Sequence, residues 1–543
     1  MSAEKLITDH IDIWTSAVQA KSASGRGSSK KRELYGIKKL RELILELAVR
    51  GKLVPQDPND EPASVLLERI AAEKAQLVKE KKLKKPNKLP EISEKDKLFE
   101  LPDGWEFVRW GQIAYWAIGS GFPKTAQGES GNSILFSKVS DMNLPGNERY
   151  IKTTINTISE DVAAKIKAKL HPQGTVIFPK IGGAIATNKR RILTRDTAID
   201  NNCLGLIPSI GITSDFLYLV LSKTDLVAYQ AGTSVPALSQ STLELILAAL
   251  PPIKEQHRIV AKVDELMALC DQLEQQTEAS LDAHQVLVET LLATLTNSQD
   301  ATELMANWGR ISEHFDTLFT TEQSIDQLKQ TILQLAVMGK LVPFGSNTEK
   351  GGLKKFLSFG PRNGYSPKEV KSDTGVKVLK LGATSYGSLD LNESKSVDVD
   401  IERDSHLWLN KGDILIQRGN SANYVGCNCL VEEDVSGVIY PDLMMKIRPS
   451  DITSSEFLSM WLSSPMAREF MWSRMTGTSG TMPKISKKVV ESIPIVMPSR
   501  QTQDSIVAKA QDLLSICEHL KQRIRDIQQT QLQLTDTIVE QAL

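Results

Sequence analysis

No run of 18 apolar residues occurs in the 543-residue chain, so no segment has the length and apolarity of a membrane-spanning helix. The stretch from Met1 to Gln19 is amphipathic and carries acids, unlike a secretory leader. Cysteine is scarce: Cys203, Cys270, Cys427, Cys429 and Cys517 are odd in number and scattered. That excludes a disulfide framework and points to a reducing cytoplasm. Neither sign of charge dominates. With 65 basic and 66 acidic residues the net charge is −1, which argues against a protein that merely coats phosphates. Any nucleic-acid surface must be local.

Catalytic signatures are missing too. The chain has no Gly-x-x-x-x-Gly-Lys-Ser/Thr phosphate loop, no Asn/Asp-Pro-Pro-aromatic tetrapeptide and no glycine-rich loop between a strand and a helix. Its seven histidines form no His-Glu-x-x-His, and no Cys-x-x-Cys pair exists. Cys427-x-Cys429 reads as packing. Pro441-Asp442 could open a nuclease carboxylate pair, but Leu443-Met444-Met445-Lys446 follows, without the acid-x-Lys that metal chemistry needs. Glu393-Ser394-Lys395 has that shape but lies upstream in a polar loop. No catalytic residue, metal ligand or cofactor site is expected on this chain.

What the sequence does have is repetition. Leu47-Ala48-Val49-Arg50-Gly51-Lys52-Leu53-Val54-Pro55 returns as Leu335-Ala336-Val337-Met338-Gly339-Lys340-Leu341-Val342-Pro343, with one difference in nine positions. Gly51 and Gly339 fall where a helix ends, each with a proline beyond. Ile259-Val260-Ala261-Lys262 returns as Ile506-Val507-Ala508-Lys509. At the same offset Cys270 meets Cys517, Gln256 meets Gln503 and Pro251 meets Pro498; upstream, Gly232-Thr233-Ser234 matches Gly477-Thr478-Ser479. The order is helix pair, variable block, long helix, then the same again.

The long helices show a narrow apolar seam. In the first it runs Ile259, Val263, Leu266, Cys270, Leu273, then Leu287, Leu291 and Leu295. In the second it runs Ile506, Ala510, Leu513, Cys517, Leu520, Ile524, Ile527, Leu534 and Ile538. Such a stripe is a surface for another helix. Each helix can exceed ~40 residues, or about 60 Å. A dimerising coiled coil is the ordinary reading of one; two copies favour antiparallel pairing within the chain.

The blocks between the repeats each have about 150 residues, the size of a domain. The first opens at Leu101-Pro102-Asp103-Gly104-Trp105, and both hold short β-rich runs: Phe107 to Trp110, Ile134 to Val139, Thr175 to Phe178, Val376 to Leu381, Asp413 to Ile416 and Val438 to Ile447. Gly174 to Lys180 aligns with Gly412 to Arg418, and Phe136 to Val139 with Val378 to Leu381. A cation thus ends an apolar strand at Lys138 or Lys380, and at Lys180 or Arg418. Three loops carry polar clusters: Asn188-Lys189-Arg190-Arg191, Arg418-Gly419-Asn420-Ser421 with Tyr424, and Arg362-Asn363-Gly364-Tyr365. Arg and Asn make bidentate contacts to guanine and adenine edges, though such clusters also occur on ordinary surfaces. Between Gln56 and Glu100 lies an insert without a counterpart. Ala63 to Lys82 reads as a solvated helix, and Lys81 to Lys88 as a basic linker.

Together, the nine-residue repeat, the Leu101-Pro-Asp-Gly-Trp105 opening, Gly412-Asp413-Ile414-Leu415-Ile416 and the Gln256/Ile259-Val260-Ala261-Lys262 helix start resemble the specificity (S) subunits of Type I restriction–modification systems. The likeness covers essentially the whole chain; the insert to Glu100 departs from it. It implies an α/β fold: α+β recognition domains with long antiparallel coiled-coil helices, in two pseudo-symmetric halves. The expected layout is a helical region at 1–55, the insert at 56–100, a recognition domain at 101–252, a long helix and spacer at 253–343, a second recognition domain at 344–498 and a long helix at 499–543. The expected DNA contacts are Ser120, Lys124, Lys138, Lys180, Asn188, Lys189, Arg190, Arg191, Arg362, Asn363, Tyr365, Lys380, Arg418, Asn420, Tyr424 and Lys484. The resemblance also implies double-stranded DNA with a split site, two modification (methyltransferase) subunits and restriction (motor and nuclease) subunits as partners. S-adenosylmethionine, ATP and Mg2+ would reside on those partners. A coiled-coil scaffold that binds no DNA, and a self-contained nuclease, are the competing readings.

Overall fold

Glycine ends the same helix twice. In the computed structural model, which describes residues 3–21, 31–83, 88–97, 99–232, 235–385, 387–477 and 482–543, helices Tyr35–Val49 and Glu322–Val337 stop just before Gly51 and Gly339. These glycines take φ of +71° and +68°, a left-handed conformation that side chains disfavour. The following amides close the turns, Lys52 N–H donating to Leu47 O at 2.9 Å and Lys340 N–H to Leu335 O at 3.0 Å. The same lysines serve a second helix end. Lys340 Nζ donates to the Thr296 and Ser298 carbonyls at 2.6 and 2.7 Å, and Lys52 Nζ to the Leu543 carbonyl at 2.5 Å. Carbonyls in a last helical turn lack partners and form the negative dipole end, which attracts a cation. The nine-residue repeat therefore terminates one helix and caps another.

The chain folds as two units. One comprises Leu34–Gln276 with residues 3–18 and 531–543; the other comprises Thr277–Thr530 with residues 19–21 and 31–33. The long helices Ile253–Asn297 and Arg500–Ala542 have 45 and 43 residues. In the first unit Tyr35–Val49 pairs with the opening part of the first long helix, Arg41 to Asp271 at 2.7 Å, and with the closing part of the second, Lys39 to Asp536 at 3.6 Å. In the second unit the equivalent positions meet: Lys329 pairs with Glu518, and Gln327 donates to Glu289 at 2.7 Å. Exposed pairs of this kind add little stability. They record register, and the register is the same in both halves.

The seam follows from this exchange of partners. Ile259, Val263, Leu266, Cys270 and Leu273 are all buried, as their spacing requires. Beyond them the expectation holds only in part. Leu295 is buried as expected and Leu291 is half-buried on the core, but Leu287 is exposed and Val288 and Leu292 are buried; in the second helix Ile538 is buried as expected, while Ile527 and Leu534 are exposed and Thr535 is buried.

A third repeat escaped the sequence reading. Ile7, His10 and Asp12 recur as Ile311, His314 and Asp316. Each histidine marks a break between two short helices, and its carbonyl accepts from Trp14 N–H at 3.1 Å or Leu318 N–H at 3.0 Å. Ile7 and Trp14, like Ile311 and Leu318, are buried.

The two blocks share a core strand order, to which the first adds Tyr150–Ile151 and Leu170–His171 at sheet edges. In the first, a sheet is ordered Ala114–Ile118, Cys203–Pro208, Val176–Pro179, Arg191–Leu193, Tyr150–Ile151; in the second, Leu357–Asn363, Met444–Pro449, Ile414–Gln417, Asn428–Leu430. A second sheet is ordered Asn156–Ile158, Ile134–Ser137, Thr197–Ile199, Leu170–His171 in one and Ser394–Ser396, Lys377–Leu379, Val438–Ile439 in the other. Both contain the same parallel pair, Ile134–Ser137 with Thr197–Ile199 and Lys377–Leu379 with Val438–Ile439. Val176–Pro179 and Ile414–Gln417 are buried at every residue, which explains their continuous apolar runs. The expected single run Val438 to Ile447 is two strands in different sheets, broken at Pro441, which has no amide to donate.

The insert helix Ala63–Lys79 forms, but it is not a solvated helix. Ala63, Leu66 and Ile70 are buried against the first block, and Gly211 leaves room for the Leu66 side chain. Lys74 Nζ donates to the carbonyls of Gly111 at 2.8 Å and Ala114 at 3.3 Å, over the Tyr115 ring. Residues 84–87 of the basic stretch, and Thr233, Ser234, Thr478 and Ser479 of the Gly-Thr-Ser match, lie outside the described residues.

Burial pushes the Lys74 amine down from 10.5 to about 8. Between those values the unfolded chain holds the proton and the folded chain releases it, so this group's contribution to stability rises with pH across that window. Below about 8 the contribution is flat at its lower level. Lys74→Met should abolish that rise in urea unfolding followed through the window. A slope unchanged by the substitution would assign it to other groups.

Candidate nucleic-acid interface

In the second block the basic candidates are gathered by a buried glutamine. Gln417 ends the strand Ile414–Gln417 and is fully buried. Its amide donates to Leu381 O at 2.9 Å, Thr384 Oγ1 at 3.0 Å and Ser385 Oγ at 3.1 Å, and accepts from Asn420 Nδ2 at 2.7 Å. The turn after Lys380 is thereby held beside the loop of Arg418 and Asn420. Gly419 bridges to Lys484, and a Cβ there would lie 3.1 Å from both Leu443 and Lys484 side chains. Arg418 N–H donates to Leu443 O at 2.8 Å. Next to Leu443, Asp442 N–H donates to Ser366 Oγ at 3.0 Å, and Tyr365 N–H donates to Tyr440 O at 2.9 Å. Lys380, Arg418, Asn420, Lys484 and Tyr365 therefore share one end of the block. Lys380, Lys484, Arg362 and Tyr365 are exposed. Arg418 is half-buried, and its Nε is buried without a partner, as is Asn363 Oδ1. Tyr424 is half-buried in a short turn flanked by two anchors: Arg468 donates to Asn423 O at 2.8 Å and Trp472 to Val425 O at 2.9 Å.

The first block repeats part of this arrangement. Lys180 N–H donates to Asn202 O at 2.9 Å, as Arg418 does to Leu443. Lys138 Nζ donates to Gln127 at 2.7 Å and lies 5.2 Å over the Phe122 ring, which stacks on Phe136. Ser120 N–H donates to Ile199 O at 2.8 Å, and Asp200 N–H to Ser137 O at 3.0 Å. The strand ends bearing Ser120, Lys138 and Lys180 are thus neighbours. Lys124 is exposed in the turn Lys124–Ala126.

Within the Asn188–Arg191 cluster, Arg190 has a different job. Arg190 is buried, 1% exposed, and donates to the carbonyls of Leu221 at 3.1 Å and Thr224 at 3.5 Å. It caps the end of helix Ser214–Lys223. Burial lowers its guanidinium to about 10. Arg191 donates to Met142 O at 2.6 Å, Asn188 to Ser222 O at 2.9 Å, and Lys189 bonds the Asn143 side chain. Arg190 leaves the candidate surface, because a cation spent on a helix end inside the protein cannot meet a base.

Residues 102–283 and 349–529 each match the Type I restriction modification DNA specificity domain. The chain belongs to that family. Among its relatives, the Type I restriction enzyme EcoEI and EcoAI specificity subunits of Escherichia coli are each 38% identical, over 100% of both chains. The EcoKI specificity subunit of E. coli strain K12 is 24% identical over 61% of this chain and 64% of its own. A solved chain from work on complex assembly and conformational transition of the type I R-M system shares the fold at TM-score 0.51 and 17% identity. It covers 82% of this chain and 98% of that one.

Membership in the DNA specificity family makes this a DNA-reading rather than a catalytic subunit, and the nuclease reading loses its ground. The lysine that follows Pro441-Asp442, Lys446, is buried and held by Asp413 at 3.0 Å, with Arg448 at 2.8 Å from the same carboxylate. Burial lowers the Lys446 amine despite that pairing. Cys427 and Cys429 are free thiols, Cys429 buried. Among the described residues no helix is long and apolar enough to cross a membrane. Gln417, Arg468 and Trp472 also shape this end of the block, although no motif marks them. The one available signal was Arg468 four residues before Trp472, which places the cation 4.9 Å over the indole.

Two substitutions separate these roles. Arg190→Met should destabilise the protein by roughly 2–3 kcal/mol, because it leaves buried carbonyls unpaired, and leave the DNA affinity of the folded chain unchanged. Arg418→Ala should change stability little and weaken DNA binding. Urea unfolding and DNA titration of both variants check this, and the reverse pattern would exchange the assignments.

Proposed function

We propose that this chain reads a split site on double-stranded DNA, one half with each block, and brings modification and restriction subunits to it. The observation that carries the reading is the placement of cations at equivalent strand ends, Lys138 with Lys380 and Lys180 with Arg418, on two blocks that share a core strand order. Each block leads directly into a helix of more than 40 residues. Two modification subunits supply the methyltransferase chemistry with S-adenosylmethionine, in which the target adenine is turned out of the duplex. Restriction subunits supply ATP- and Mg2+-dependent translocation and cleavage. The assembly works in the cytoplasm.

Exchanging residues 104–252 for the corresponding block of a relative should change one half of the methylated motif and leave the other intact. Four residues inserted after Leu273 add about 6 Å of helix. DNA turns once in about 10–10.5 base pairs, so displacement along the duplex also rotates the face that must be approached. The insertion should lengthen the gap by one or two base pairs or abolish recognition, with the half-site sequences kept. Sequencing the methylated sites of a host that carries the full system checks both. An unchanged gap with full activity would show that the helices are not the ruler. Absence of salt-sensitive DNA binding would favour the scaffold instead.

A further inference from the structure

The domain and the long helix meet through the same side chain in both halves. Gln256 and Gln503 occupy equivalent positions in the first turn of their helices and are fully buried. Gln256 accepts from Thr213 N–H at 3.0 Å and donates to Gly211 O at 3.2 Å and Pro251 O at 3.3 Å. Gln503 accepts from Ser454 N–H at 2.7 Å and donates to Ile452 O at 3.0 Å and Pro498 O at 2.9 Å. Thr213 and Ser454 are themselves N-caps, accepting from Phe216 N–H and Phe457 N–H of a helix inside each block. One amide therefore joins the start of the long helix, the proline before it and the capping residue of the domain. All three of its bonds are made to backbone, so the link is indifferent to the loop sequences of either block.

We propose that Gln256 and Gln503 are positioning residues that fix the angle of each reader on its helix, and so confine the chain to one gap between half-sites. The proposal rests on the split-site reading above. A buried amide with three backbone bonds has one orientation, and any rocking of the domain must break a bond that water cannot replace. A single base-pair step rotates the duplex by about a tenth of a turn, so even modest rocking admits a neighbouring gap. The two sites differ in support. In the first unit Arg149 bridges Asp215, inside the domain, and Asp264, on the long helix, at 2.7 and 2.6 Å. The counterpart of Asp264 is Gln511. Gln503 therefore carries more of its domain's alignment than Gln256 does.

The test uses the full chain with its modification subunits, in Gln503→Met, Gln256→Met, Gln503→Glu and Gln256→Glu forms. Methionine keeps the shape and removes all three bonds; glutamate keeps the acceptor and removes both donations. Methylated sites are sequenced, and thermal unfolding reports the fold. The expected result is that both half-site sequences persist while sites with a gap one base pair longer or shorter are modified at least about tenfold more often than by wild type, a factor that corresponds to ~1.4 kcal/mol. The effect should be larger at Gln503 than at Gln256, and larger for methionine than for glutamate. Folded variants that keep the single wild-type gap, that change half-site bases, or that methylate nothing overturn the proposal. If none of the four folds, the glutamines are folding elements and the proposal falls. A wild-type motif that is continuous rather than split would instead overturn the split-site reading itself.

Discussion

Each long helix must satisfy two packing partners with one sequence, and much else follows from that constraint. Its opening part meets the short repeat helix that precedes its own block, and its closing part meets the other copy. In the closing parts the buried set departs from the expected stripe, taking in Val288 and Leu292 in one helix and Thr535 in the other. The ends need securing as well, because a helix of this length has unpaired carbonyls at its close and a domain hinged at its start. Lys52 and Lys340 secure the closes and Gln256 and Gln503 the starts. The residues that repeat between the halves are these joints, and the blocks hung from them are free to diverge.

The near-zero net charge belongs to the same design. Acids and bases on the helices pair with one another across helix contacts, as Arg41 does with Asp271 and Arg525 with Glu322. The cations at the strand ends are largely exempt: Lys380 and Lys484 are exposed, and Arg418 keeps a buried, unpartnered donor. A neutral chain can thus present local positive ends to a polyanion.

Basic residues in a loop carry no address of their own. Arg190 and Arg418 look alike in sequence, each within two residues of an amide and close to an apolar strand. Arg190 lies under the end of Ser214–Lys223 and is consumed by its carbonyls, whereas Arg418 follows a strand whose last residue, Gln417, braces the surrounding loops. Which strand a loop leaves, and which helix ends nearby, decides whether a cation is structure or surface. The insert helix makes the same point. Its charged residues suggested solvation, yet one apolar stripe of Ala63, Leu66 and Ile70 sufficed to dock it.

The sequence alone determined the doubled architecture, the helix ends at Gly51 and Gly339, the first half of each seam and the matched strands at Lys180 and Arg418. These are local or periodic properties: left-handed glycines, 3.6-residue spacing and repeated identities survive without knowledge of what they touch. It left unread the partner exchange along the helices, the division of Val438 to Ile447 between two sheets, the cap made by Arg190 and the three-way bond of each buried glutamine. Those depend largely on contacts between residues far apart in the chain, 31 positions for Arg190 with Leu221 and 501 for Tyr35 with Asp536. No local pattern encodes such a contact, because a side chain's role is set by the backbone atoms that folding brings within about 3 Å of it.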